Sequence, residues 1–288
     1  MQNKKIPVFY HIPKNAGTYV SDWFLIAFRY YRRTYTDWLN NHSPEKDSIK
    51  CLHIKDDQEN VIAKFVVGDF KYFCETYPKF TIKHNKTQWE INLADVTEEL
   101  LNNVFLFGVI IESCGFKNKK RKSVFEKLSL YKLQQFLILR DPFSRSQSIF
   151  NYLISETSNH EPTHGIIKSK TLEEFVMSVY LEDSWLIRHL NSIDNSMPIN
   201  ESFYQQTIEI LNDFRVFDIK ETDKAIRETF LDCYNFDITQ IQLRQWDTFK
   251  KNETHGKKIK FEELSSEAQT TFKERTYWDE RLFKTFIK

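Results

Sequence analysis

An apolar run at residues 6–11 (IPVFYH) breaks at Pro13, and residues 20–32 then carry Val20, Trp23, Phe24, Ala27, Phe28 and Tyr31 at helical spacing. A buried strand, a short loop and a long helix in that order are the opening unit of an α/β domain. Further β-type runs lie at 61–67, closed by Gly68, at 103–111 (NVFLFGVII) and at 135–139 (QFLIL). The basic stretch 118–132 reads as helical. Asp141 is a good N-cap and Pro142 a good first helical residue, so a helix over 143–155 is expected. Beyond Thr171 the pattern is mostly helical, over about 171–181, 183–192, 201–213, 221–233, 262–274 and 277–286, with RVFD (215–218) a possible strand. Residues 40–57 and 159–170 read as irregular.

Strands alternating with helices, then helices, predict an α/β chain with three layers, a central parallel sheet and a helix-rich C-terminal half. No repeat or long linker interrupts 1–288, so one domain is expected. Parallel sheets bind ligands at the carboxyl ends of their strands. Here those ends are His11–Gly17, Gly68–Asp69, Ile111–Ser113 and Arg140–Asp141.

Composition narrows the function classes. The chain is 41% hydrophobic and 28% charged, a globular balance that excludes disordered and collagen-like classes. The 25 Phe and 13 Tyr predict an aromatic-rich core. A net charge of +1 supplies no global field to recruit nucleic acid or an anionic membrane, so a bound anion must be held by local geometry. Cys51, Cys74, Cys114 and Cys233 form no CxxC, which argues against a zinc ribbon or a disulfide scaffold. There is no long apolar run and no secretory pattern at the N-terminus, so a cytoplasmic chain without a membrane helix is expected.

The loop His11-Ile12-Pro13-Lys14-Asn15-Ala16-Gly17-Thr18-Tyr19 has the parts of an anion cradle. Gly17 permits close backbone approach, the helix start offers amides and a positive dipole, Lys14 adds a charge and Thr18 a hydroxyl. It is not a Walker A loop, because GxxxxGK[ST] is absent and the lysine precedes the glycine. The competing reading is an ordinary strand–turn–helix with a solvated lysine. A second constellation runs from Leu139 to Ser148: Arg140 ends a strand beside a helix N-terminus, and Ser148 lies three residues beyond Arg145 on one helical face. Its bland alternative is a structural Arg–Asp pair.

Together the two segments resemble the sulfotransferases that use 3′-phosphoadenosine 5′-phosphosulfate (PAPS), above all the carbohydrate branch, Golgi-type and bacterial. That branch carries a first motif like HIPKTGGT, where this chain reads HIPKNAGT (11–18), and a second like LRDPxxRxxS, matched at every fixed position by LRDPFSRSQS (139–148). Weaker echoes are Trp185–Leu190, similar to an NxxxRxL helix with Ser184 in place of Asn, and 252–258 followed by 277–283, similar to a closing loop and helix.

The resemblance implies a P-loop-like core and sulfuryl transfer to a hydroxyl, on a carbohydrate, with PAPS as co-substrate and no metal. It implies that Lys14 and the backbone of Asn15, Ala16, Gly17, Thr18 and Tyr19 hold the 5′-phosphosulfate, that Arg140 and Ser148 hold the 3′-phosphate, and that Lys257 or Lys258 closes over the cofactor. Lys14 would neutralise the leaving phosphate.

The acceptor hydroxyl needs a general base. Members of this branch often supply the His of a GH dipeptide, which this chain lacks. Glu112, at the end of the 103–111 strand, is the favoured carboxylate; Asp69 after Gly68 is the second, and His11 or His53 remain open. The missing dipeptide also keeps open a non-catalytic phosphonucleotide- or glycan-binding module. A P-loop kinase-like enzyme would need ATP and Mg²⁺, and the absent Walker lysine counts against it.

Other signals are weaker. His160-Glu161-Pro162-Thr163-His164 matches HExxH, but Pro162 and Gly165 argue for a loop rather than a zinc helix, with acceptor binding or plain solvation as its role. The basic run 117–122 (KNKKRK) is a solvated helix face or a contact for an anionic acceptor. Trp38 and Trp89 are candidate sugar-stacking residues.

Overall fold

The computed structural model describes residues 5–34, 50–68, 83–85, 88–112, 119–154, 171–238 and 258–287. The strands are β1 (Lys5–Tyr10), β2 (Lys50–Lys55), β3 (Val61–Gly68), β4 (Lys83–Asn85), β5 (Gln88–Asn92), β6 (Phe105–Ile111), β7 (Lys132–Leu139) and β8 (Arg215–Asp218). The helices are α1 (Gly17–Thr34), α2 (Glu98–Asn103), α3 (Lys119–Lys127), α4 (Pro142–Leu153), α5 (Leu172–Met177), α6 (Trp185–Asn191), α7 (Glu201–Leu211), α8 (Thr222–Tyr234), α9 (Ser266–Arg275) and α10 (Tyr277–Phe286).

The strands form one eight-stranded sheet in the order β4-β5-β2-β3-β6-β1-β7-β8. The expected parallel sheet is only partly present. β6, β1, β7 and β8 are mutually parallel, and β2 pairs parallel with β5. The β2/β3, β3/β6 and β4/β5 pairs are antiparallel, so the sheet is mixed. The cause is a hairpin. Asp56 accepts the amides of Gln58 (2.8 Å) and Asn60 (2.9 Å) on one carboxylate oxygen, and Glu59 takes the left-handed conformation at φ 63°. The chain therefore reverses after β2, and β3 enters the sheet against β6.

This changes which strand ends meet. His11, Glu112 and Arg140 follow β1, β6 and β7 and leave the sheet at one end. Gly68 pairs with Phe105, at the start of β6, and so lies at the opposite end. Asp69 itself is outside the described residues, but its strand does not run toward the His11 end. The reading of 40–57 as irregular is also corrected, since 50–55 form β2: Leu52 and Ile54 are buried, while Cys51, His53 and Lys55 alternate with them.

β1 is buried on both faces, as expected of a central strand. Ile6, Val8 and Tyr10 pack with Leu186, Leu190 and Leu282, from α6 and α10. Phe9 packs on the other face with Val20, Trp23 and Phe24 of α1 and Phe230 of α8. That face has the aromatic core the composition predicts: Phe28 and Tyr234 lie against Phe107, each with ring centroids 4.5 Å from it. Gly108 makes room there, since a β-carbon on it would fall 2.3 Å from Phe24 Cε1. A satellite cluster joins Phe150 of α4 to Phe175 of α5 and Phe272 of α9. Among the described residues no helix is long and apolar enough to cross a membrane.

Candidate active site

The loop after β1 is held at both ends. The His11 amide donates to the Ile111 carbonyl (2.9 Å), continuing the β1/β6 pairing. The Asn15 amide donates back to the Ile12 carbonyl (3.1 Å), and the buried Asn15 side chain donates to the Ile138 carbonyl of β7 (2.9 Å). Asn15 thus anchors the cradle rather than lining it by side chain. Lys14 (φ 66°) and Ala16 (φ 62°) both adopt the left-handed region, which makes the loop a tight turn. α1 begins directly at Gly17, and first-turn amides have no intrahelical acceptor. Thr18 is exposed in that turn, and the Tyr19 hydroxyl donates to Asp223 of α8 (2.5 Å).

Arg140 lies beside this loop, where its Nη1 donates to the Lys14 carbonyl at 3.3 Å. Lys14 Nζ sits 3.5 Å from the ring centroid of Tyr152 on α4. Ser148 is buried one helical turn before Tyr152, on the same face of α4. Asp141 caps this helix by accepting the Ser144 amide at 2.9 Å, as the sequence predicts. Two segments far apart in the chain therefore bring Lys14, Arg140 and the Ser148 face together. Burial, then the Arg140 charge, lowers the Lys14 ammonium to about 8. Burial also lowers Arg140, against the pull of Asp141.

On the other side of the loop His11 and Glu112 form a pair. His11 Nδ1 donates to Glu112 Oε2 at 2.8 Å, and Lys64 of β3 forms an ion pair with Glu112 Oε1. Burial pushes the Glu112 carboxyl upward, but the His11 hydrogen bond and the charges of His11 and Lys64 outweigh it and leave it at about 2. Such a carboxylate has little proton affinity. The His11 ring packs on Gly17, where an added β-carbon would lie 1.9 Å from Nε2. Gly17 is thus needed for contact with an imidazole, a constraint different from the close ligand approach expected of it.

A third group lies behind Arg140. Arg145 is 6% exposed, its guanidinium stacks 3.4 Å from the Trp185 ring centroid, and its Nε and Nη2 have no hydrogen-bond partner. Burial lowers it to about 9, against the pull of Asp279 and Glu182. His189 covers the other part of the stack, its ring 4.4 Å from that of Trp185. Burial, then Arg145 and His11, drives its imidazole down to about 4, so it is neutral near pH 7. Asp279 of α10 accepts the amides of Leu186 (2.9 Å) and Ile187 (3.1 Å) and holds the start of α6.

Other expected residues fall differently. Lys258 is exposed and precedes Ile259, whose carbonyl accepts from Gln147 of α4 (3.1 Å); Lys257 lies outside the described residues. His53 is buried on β2 with Nδ1 unpartnered, beside Lys64 and within range of the charges on Lys64 and Glu112. Trp89 is half-buried and packs against the core. Arg188 donates to the carbonyls of Asp183, Asp194 and Met197, so the Trp185–Leu190 echo is a structural clamp. Trp38, His160 and His164 lie outside the described residues. Among those described, no cluster of His, Cys, Asp or Glu is arranged to hold a metal.

Lys64 and the Trp185 stack escaped the sequence reading. Lys64 had one signal, a lone charge in the otherwise apolar run 61–67. No family model, curated protein or solved structure matches this chain.

Proposed function

We propose that the chain is a PAPS-dependent sulfotransferase with a single P-loop-like, three-layer core, and that it transfers the sulfuryl group to a hydroxyl. The carbohydrate class of the acceptor rests on the motif resemblance. The observation that carries the proposal is the convergence of Lys14 and Arg140. Two cations that repel each other are held side by side at a helix start, an arrangement that a bound phosphate relieves. The phosphosulfate would bring an activated sulfur–oxygen bond to this point.

In-line transfer forms a bond from the acceptor oxygen to sulfur as the bond from sulfur to the phosphate oxygen breaks. Lys14, the cation carried by the loop itself, neutralises the charge building on that oxygen. The acceptor proton needs a base at the cradle. Glu112 is tied to both His11 and Lys64, so the expected carboxylate base gives way here to His11. With Nδ1–H donated to Glu112, Nε2 keeps its lone pair and faces Gly17. His11 thus takes the proton, and Glu112 orients the ring and balances the imidazolium.

A second reading is a binding module without catalysis. The observation favouring it is the saturation of Glu112 by two partners. The test has two arms. Calorimetry should show that 3′-phosphoadenosine 5′-phosphate binds more tightly than ATP, with about tenfold or greater loss in Arg140→Ala. Transfer of radiolabelled sulfate to a panel of glycans should then occur with the wild type and fail with His11→Gln. Absence of bisphosphate binding by folded protein overturns the sulfotransferase and the phosphonucleotide-binding module alike. Binding without transfer to any acceptor leaves the module.

A further inference from the structure

The reversed strand β3 carries one charged side chain into the sheet, and it lands on the site. Lys64 is bracketed by His53 of β2, its cross-strand neighbour, and by Ile110 of β6. Its ammonium reaches along β6 to Glu112 Oε1, while Glu112 Oε2 takes the Nδ1–H of His11. The side chains of Lys64, Glu112 and His11 are 27%, 15% and 24% exposed, so the row is largely shielded from solvent and from screening by salt.

A neutral imidazole has two tautomers, and the hydrogen bond made by one nitrogen selects which. An ionised carboxylate only accepts, so it selects the Nδ1–H tautomer while it stays charged and within reach of the ring; one that swings away, or picks up a proton, does not. We propose that Lys64 is a positioning residue for the base: by pinning Oε1 of Glu112 it fixes the carboxylate, and through it the His11 tautomer whose Nε2 faces Gly17. This rests on the reading of the site as a sulfuryl transferase, although the pinning itself does not need it. His53, the cross-strand neighbour of Lys64, and Cys51, two residues before His53, are both within range of the charges on Lys64 and Glu112. His189 approaches His11 from α6 as a neutral ring and adds no competing carboxylate.

The pinning would not be supplied by any neutral residue of similar size. Methionine fills the space without a charge, and arginine keeps the charge with a longer reach. The full chain with ¹⁵N-labelled histidine is compared with Lys64→Met and Lys64→Arg by long-range proton–nitrogen correlation, the His11 signals being assigned by their loss in His11→Gln. The wild type should show the neutral His11 ring in its Nδ1–H tautomer alone. Lys64→Met should show both tautomers, and Lys64→Arg should restore the single one. In turnover, Lys64→Met should lower kcat roughly tenfold or more while bisphosphate affinity stays within about twofold.

A single Nδ1–H tautomer in Lys64→Met overturns the proposal whatever the activity. A Lys64-dependent tautomer in a wild type that transfers no sulfuryl group upholds the pinning and overturns the functional reading. Should Lys64→Met fail to fold, Lys64→Gln carries the same readout, because it also lacks the charge.

Discussion

Arg140 Nη1 donates to the carbonyl of Lys14 at 3.3 Å, across 126 positions of sequence. The contact makes Arg140 both a charge at the site and a brace for the turn that presents Lys14. Removing it should therefore do more than delete one phosphate contact.

Arg140→Lys distinguishes the two roles. Lysine keeps the charge but not the planar fork. Bisphosphate affinity should fall about threefold to tenfold in Arg140→Lys and further in Arg140→Ala, by titration calorimetry. Equal affinities in the lysine variant and the wild type would refute the bracing role.

Lys14 titrates near 8 in the free protein because burial and Arg140 disfavour its charge. A bound anion restores that charge. Affinity for the bisphosphate should be flat from pH 7 to about 8, then fall by up to about tenfold per pH unit, with proton uptake on binding. Calorimetry in buffers of different ionisation enthalpy measures the uptake. Lys14→Met should bind weakly and without this dependence.

Glu112 is held at about 2 in the folded chain, below its ordinary 4.5. Its folded value is depressed, so its stabilising contribution is complete above about 4.5 and is lost as the pH falls toward 2. The urea midpoint of the wild type should drop through that window. Glu112→Gln should be less stable at pH 7 and show a shallower decline.

Ala16 occupies a left-handed conformation that costs an L-residue about 1–2 kcal/mol, and glycine escapes the cost at some expense in unfolded-chain entropy. Ala16→Gly should raise stability by up to about 1 kcal/mol in urea unfolding. Gly17→Ala should do the reverse. Its new methyl displaces the His11 ring, so stability and the Nδ1–H signature should be lost together.

The strand, loop and helix at the start of the chain were legible because each is a local pattern: a continuous apolar run, a proline stop, then helical spacing. The Asp141 cap and the RVFD strand were legible for the same reason. β2 was not, because KCLHIK alternates buried Leu52 and Ile54 with polar positions and so resembles a loop. Strand direction is not a local property at all. It depends on the turn at Asp56–Asn60, and the misplaced Gly68 end follows from it. The His11–Glu112 pair was half legible: both residues were candidates for the proposed base, but only the β1/β6 register makes them one unit, and only the reversed β3 adds Lys64.

β1 precedes both of its sheet neighbours, β6 and β7, by a long stretch of chain. Val8 pairs with Val109, and Phe9 with Phe136. Until the chain is synthesised past Arg140, the loop that bears Lys14 has no walls, and its apolar strand has no shelter. Such long-range closure slows folding and leaves nascent chains adhesive. Fragments ending before residue 140 should therefore be chaperone clients, and the candidate site should appear all at once when β7 docks.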